Sequence, residues 1–202
     1  MNIIKIVDNE GNVVSNDPGE KCRINFVGDG NTVTINKDTR FNRIAMTLGN
    51  NVSVEIKKSI HVLESVYIGA LRSIGGGVVI GENFSCVDVQ FLLHEEAWIT
   101  IGNDCMVSSM VKLWGSDGHS IIDLNTGTTY NQSSGISVGN HVWICDSSRI
   151  LKNSVISDNS IIGNSAVVCG KFNESNVIIA GNPAKIIKRN IDWNRFAPQP
   201  IN

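Results

Sequence analysis

The chain reads as an all-β parallel β-helix, and three features of its 202 residues carry that expectation. First, Val138, Ile144, Ile150, Ile156, Ile162 and Val168 put a β-branched aliphatic at every sixth position. An α-helix repeats its apolar face every three to four residues and a plain strand every two, so neither accounts for a strict six. A chain that turns a corner every six residues does, with one aliphatic pointing inward from each short strand of a triangular coil. Second, the slot four residues after each of the first five holds Val142, Ser148, Ser154, Ser160 and Ala166, mostly small side chains. Third, turn-plus-strand phrases recur roughly one coil apart: GDGNTVTI, GNNVSVEI, GGGVVIG and EAWITIG, starting at residues 28, 49, 75 and 96.

Residues 1–28 lack the six-beat and are expected to form an N-terminal cap, because a bare solenoid end would expose core and unpaired strand edges. Residues 29–172 are assigned to the β-helix. Within them a register runs Ile56, Val62, Ile68, Ile74, Ile80, Cys86, Leu92, slips by about three residues around His94-Glu95-Glu96, and resumes at Ile101, Val107, Leu113. Such a slip predicts a bulge or small loop at one corner. The polar stretch after Leu113 interrupts perfect repeats, so residues 115–135 are expected to leave the coil as a loop, a common place for function. Residues 173–202 hold the turn AGNPA, a helix-spaced segment from Lys185 to Phe196 with Ile186, Ile187, Ile191 and Trp193, and the tail APQPIN. A short C-terminal helix is the expectation there.

The net charge of -2 and pI near 6.1 argue against nucleic acid as a partner. Asp8 and Glu10 interrupt the N-terminus before any long apolar run, which points away from a signal peptide or membrane insertion and toward the cytoplasm. Five cysteines with no C-x-x-C pair point away from a zinc or disulfide framework and toward small buried thiols. No metal is expected. Among four histidines His119 is the sharpest candidate, since it sits at the root of the polar loop and an imidazole titrates near neutrality, as a general base should.

The segments IGNDCMVSSMVKLWGSDGH (101–119), VGNHVWIC (138–145), SIIGNSAVV (160–168) and AGNPAKIIKRNIDWNR (180–195) resemble the left-handed β-helix, hexapeptide-repeat acetyltransferases. Within that family the likeness is to bacterial O-acetyltransferases acting on capsule, polysialic acid and O-antigen sugars. The resemblance implies acetyl-CoA as acyl donor, a glycan hydroxyl as acceptor, direct transfer without an acyl-enzyme, and a homotrimer with sites in clefts between subunits. It makes His119 the base and places Trp143 beside that histidine and the thiol end of CoA. Cofactor contacts are expected from Asp146 and Ser147, where the turn from Cys145 offers backbone N–H donors, and from Gly163, Asn164, Cys169, Lys171, Lys185 and Lys188, with Arg189 beside them. Cys145, Asn164 and Cys169 depart from the family's usual residues along that path. Acceptor contacts are expected from Asp88 and Gln90, with Asp117 orienting the histidine or the sugar or forming its own turn. N-acetylation of an amino-sugar nucleotide and a non-catalytic β-helix scaffold remain as alternatives.

Overall fold

The computed structural model describes residues 1–198; the last four residues of the expected tail lie outside them. It is a parallel β-solenoid of about seven turns with three faces. On the first face Ile3–Val7, Thr32–Asn36, Ser53–Ile56, Gly77–Ile80, Trp98–Ile101, Ile136–Val138, Val155–Ile156 and Lys171–Phe172 stack in parallel register. The second face runs from Arg40–Phe41 through Met106–Val107, Trp143–Ile144 and Ile161–Ile162 to Val177–Gly181. The third begins at Cys22–Phe26 and Ile44–Leu48 and continues through Val111–Trp114 and Arg149–Leu151 to Val167–Val168. The long strands Val62–Ser73 and Ser85–Glu95 each cross from the second face to the third.

The six-beat from Val138 to Val168 is the core: all six aliphatics are buried, as are the small residues four places on. Burial also covers Ile101, Val107 and Leu113. The earlier register is corrected. Ile74 is 60% exposed and Val62 and Leu92 are half-buried, whereas Leu63, Phe91 and Leu93 point inward. In the two long strands the inward residues alternate by two (Val66, Ile68, Ala70; Val89, Phe91, Leu93), so a count of six loses phase. The expected bulge is present: the register shifts between Leu92 and His94, and Glu95 has φ of 63°.

Both ends differ from expectation. Parallel pairing already starts at Ile3, inside the segment assigned to a cap, and only Val13–Ser15 turns back antiparallel to cover that edge. At the other end the helix expected from Lys185 is a strand, Ala184–Arg189, antiparallel to Val177–Gly181. An open edge on the last coil offers a full row of backbone hydrogen bonds, which outweighs a weak helical spacing. No helix occurs among the described residues, so none is long and apolar enough to cross a membrane.

Candidate active site

After Val111–Trp114 the chain keeps one more coil contact, Gly115 N–H to Leu92 O at 2.8 Å, and then leaves as the loop. The buried Ser116 hydroxyl donates to the Glu95 carboxylate at 3.3 Å and accepts from Gly118 N–H at 3.0 Å. Gly118 has φ of 73°, and a Cβ there would lie 3.3 Å from two atoms of the His94 ring, so both conformation and closeness call for glycine. His119 follows, exposed. Its carbonyl accepts from the Asn131 amide at 2.9 Å, and the same amide donates to Asp117 Oδ2 at 2.7 Å. Lys152, one coil on, donates to Asn131 O at 2.7 Å and pairs with Asp117 at 3.3 Å.

The backbone at His119 is therefore pinned from two sides while its imidazole bonds to no described residue. Such a group is placed to take a proton from an incoming hydroxyl. Asp117 does not orient it; its carboxylate ties the loop to the next coil through Lys152 and Asn131. Neither of those residues carried a signal in the sequence, because a loop Asn and an outward Lys are commonplace.

Trp143 stands on the second face between Met106 and Ile161, half-buried, with Nε1 at 3.5 Å from Ser108 Oγ. His119 and Trp143 thus stand on different sides of the coil: the loop leaves between the third and first faces, Trp143 lies on the second, and the chain alone does not bring them together. Instead Trp143 faces Trp193, with ring centroids 6.0 Å apart, across a cleft of about 560 Å³ lined also by Ile161, Asp192, Asn194 and Phe196. Residues 191–196 pass back over this corner as a strap. The Trp193 ring stacks on His141 at 4.3 Å, and its indole N–H donates to His141 O at 2.8 Å. Arg195 donates to Ser85 Oγ, to Asp104 Oδ1 and to three backbone carbonyls, those of Asn83, Asp104 and Cys105. Sequence reasoning read this segment as a helix and missed the strap.

At the turn from Cys145 to Ser147 the N–H groups of Cys145 and Ser147 are already spent on Ile162 O and Ser109 O, which leaves Asp146 N–H without a backbone partner among the described residues. Burial pushes the Cys145 thiol up to about 11. Gly163 has a structural reason: a Cβ there would come within 2.7 Å of the Ala180 Cβ. Asn164 and Cys169 are exposed, so the expectation of buried thiols fails at Cys169. Lys171, Lys185 and Lys188 are exposed and make no ion pair among the described residues, which fits groups free to meet phosphates. Arg189 is already paired with Glu174 at 2.9 Å. Asp88 and Gln90 are half-buried near the start of the third face, whereas His119 lies past its far end. Gln90 stacks between Tyr67 and Lys112. No group of three or more His, Cys, Asp or Glu that could hold a metal ion occurs among the described residues.

Relatives were found by sequence and by structure. A polysialic acid O-acetyltransferase of Escherichia coli O1:K1 / APEC is 35% identical over 127 residues, covering 63% of this chain and 39% of that protein. The chain therefore spans well under half of that relative. A polysialic acid O-acetyltransferase of Neisseria meningitidis is 29% identical over 199 residues, covering 94% of this chain and 87% of that one. The crystal structure of the polySia-specific acetyltransferase NeuO superposes with a TM-score of 0.77 at 28% identity, covering 89% of this chain and 86% of the other. No family model matches the chain. With its three-faced coils and an extruded histidine loop, the chain is similar along most of its length to these polysialic acid O-acetyltransferases.

Proposed function

We propose that the chain transfers an acetyl group from acetyl-CoA to a hydroxyl of a bacterial surface glycan or its precursor, a capsule, sialic acid or O-antigen sugar. One observation carries the reading: the loop-root imidazole of His119 is exposed and unbonded on a pinned backbone, in a chain similar to polysialic acid O-acetyltransferases. His119 takes the proton of the acceptor hydroxyl as its oxygen attacks the thioester carbonyl. The tetrahedral oxyanion then collapses, the C–S bond breaks, and the thiolate recovers the proton from the imidazolium. Asp146 N–H is the donor left for the oxyanion, and Lys171, Lys185 and Lys188 meet the phosphates of CoA. A Cys145 thiol titrating at about 11 stays protonated at neutral pH, which supports direct transfer over an acyl-cysteine.

The acyl donor reaches His119 from the Trp143 side in this reading, and one chain keeps these residues on different sides of the coil. A closed homotrimer, with the His119 edge of one copy against the Trp143 edge of the next, completes the site. The protein works in the cytoplasm, where acetyl-CoA is made.

The test is incubation with labelled acetyl-CoA and a panel of glycans, with transfer read by mass spectrometry and the product's lability to mild base separating ester from amide. His119→Ala should lower turnover by at least about a hundredfold with melting and oligomeric state unchanged. A near-normal rate in that variant overturns the assignment of the base.

A further inference from the structure

A column of basic groups runs along the corner that carries His119. Arg72 and His94 are register partners on adjacent parallel strands. Both face outward, Arg72 exposed and His94 half-buried. One coil further on, Gly118 lies against the edge of the His94 ring, and His119 is the next residue. Three successive coils thus present a guanidinium, an imidazole and the candidate base. With neighbouring strands about 4.8 Å apart, Arg72 and His119 are separated along the column by roughly 10 Å, about the length of a disaccharide.

The nearby acids are engaged elsewhere, although the charge of Glu95 still reaches His94. Asp117 is held by Lys152 and Asn131, and Glu95, in its left-handed bend, accepts from Ser116. Glu96 packs over Gly75 at the following turn. Arg72 makes no hydrogen bond or ion pair with any described residue. Burial first, and then the charge of Arg72, lower the pKa of His94 against the opposing charge of Glu95, which disfavours a second cation beside the guanidinium. The anion-binding capacity of the column is therefore concentrated in one guanidinium, which suits planar, two-pronged recognition of a carboxylate.

We propose that Arg72 and His94 form an acceptor subsite that binds a carboxylate of an acidic glycan and sets a hydroxyl one or two sugar units away before His119. The proposal rests on the O-acetyl-transfer reading above. It makes acidic glycans, with a carboxylate on each sugar, the acceptor class, and it makes Arg72 the residue that rejects neutral ones.

The test uses the whole chain, oligosialic acid and the methyl ester of that oligomer, with binding measured by calorimetry and acetyl transfer by mass spectrometry. The wild type should bind the acid about tenfold more tightly than the ester, the scale of one charge-assisted contact. Arg72→Gln should erase that preference by weakening only the acid, raising its KM about tenfold with kcat at saturation within about threefold. Arg72→Lys should recover part of it, and melting should not change. Equal binding of acid and ester by the wild type, no binding of the acid, or an undiminished preference in Arg72→Gln overturns the subsite. An Arg72-dependent preference without any acetyl transfer overturns the catalytic reading and leaves the subsite standing.

Discussion

Met110 sits at a corner with φ of 55° and is 58% exposed. The left-handed region costs an L-residue with a Cβ about 1–2 kcal/mol, and Asn tolerates it best after Gly. Equivalent corners carry Asn51, Asn83, Asp104, Asn153, Asn159 and Asn176. Met110→Asn should therefore raise stability by about 0.5–1 kcal/mol, read as a higher midpoint in urea. At the neighbouring corner Ser148 is fully buried, with Oγ 2.7 Å from Cys145 O and 3.0 Å from Gly163 O, so one hydroxyl serves two coils. The small slot at Ser148 was visible in the sequence, whereas the left-handed Asn corners emerged only from the backbone. The identity of the residues that pin His119 was not visible either, because Asn131 and Lys152 are twelve and thirty-three positions away and meet it only in space.

At the scale of elements, the strap formed by residues 191–196 is held by ionisation. His141 Nδ1 lies 2.6 Å from Asp104 Oδ2, and Nε2 lies 3.0 Å from Trp193 O and 3.3 Å from Asp192 Oδ1. All three partners are acceptors, so both ring nitrogens must carry hydrogen and the imidazolium is the form that fits. Burial pushes the pKa of His141 down, but the Asp104 hydrogen bond, the Trp193 carbonyl and the charges of Asp104 and Asp192 together raise it above 6.5. Burial likewise pushes Asp104 up, and the hydrogen bonds from His141 and Arg195 bring it below 3.8.

The signs follow from linkage. The contribution of His141 is complete below 6.5 and fades as pH climbs through its raised folded value. That of Asp104 is complete above 3.8 and fades as pH falls through its lowered one. The strap is tightest between those limits and should loosen above them, seen as faster amide exchange in residues 191–196 and a change in tryptophan fluorescence. Trp193→Ala removes the stacked ring, which is only 7% exposed; it should cost about 3 kcal/mol and abolish the upper transition. A pH-independent strap in the wild type would refute the imidazolium clamp.

At the scale of the molecule, each coil contacts only its neighbours, so stability is close to a sum of coil and interface contributions. Ile150, fully buried between Leu113 and Val168, belongs to two such interfaces. Ile150→Ala should cost about 2–5 kcal/mol, checked by denaturant unfolding. Antiparallel strands close the stack at both ends: Val13–Ser15 on the first face and Ala184–Arg189 on the second. The outer faces stay open, and Trp114, Trp98, Tyr67 and Leu71 are all more than a third exposed. Closed cyclic packing of copies, as the proposed trimer requires, would cover such surface; sedimentation of the purified chain checks the stoichiometry.

The sequence by itself determined the solenoid from residue 136 to 172, because there each coil needs one inward aliphatic per face and a strict period of six follows. It also determined the extruded loop and the position of His119 at its root, since an insertion interrupts a repeat audibly. Tertiary structure decided the rest. In the coils with long strands the inward period drops to two, which moved Ile74 and Leu92 out of the core. At the last coil the hydrogen-bonding demand of a free strand edge overrode a helical spacing that no local rule opposed. Contacts along the stack, between residues about twenty positions apart, placed Arg72, His94 and His119 in one column, and no local pattern in a sequence encodes such a column.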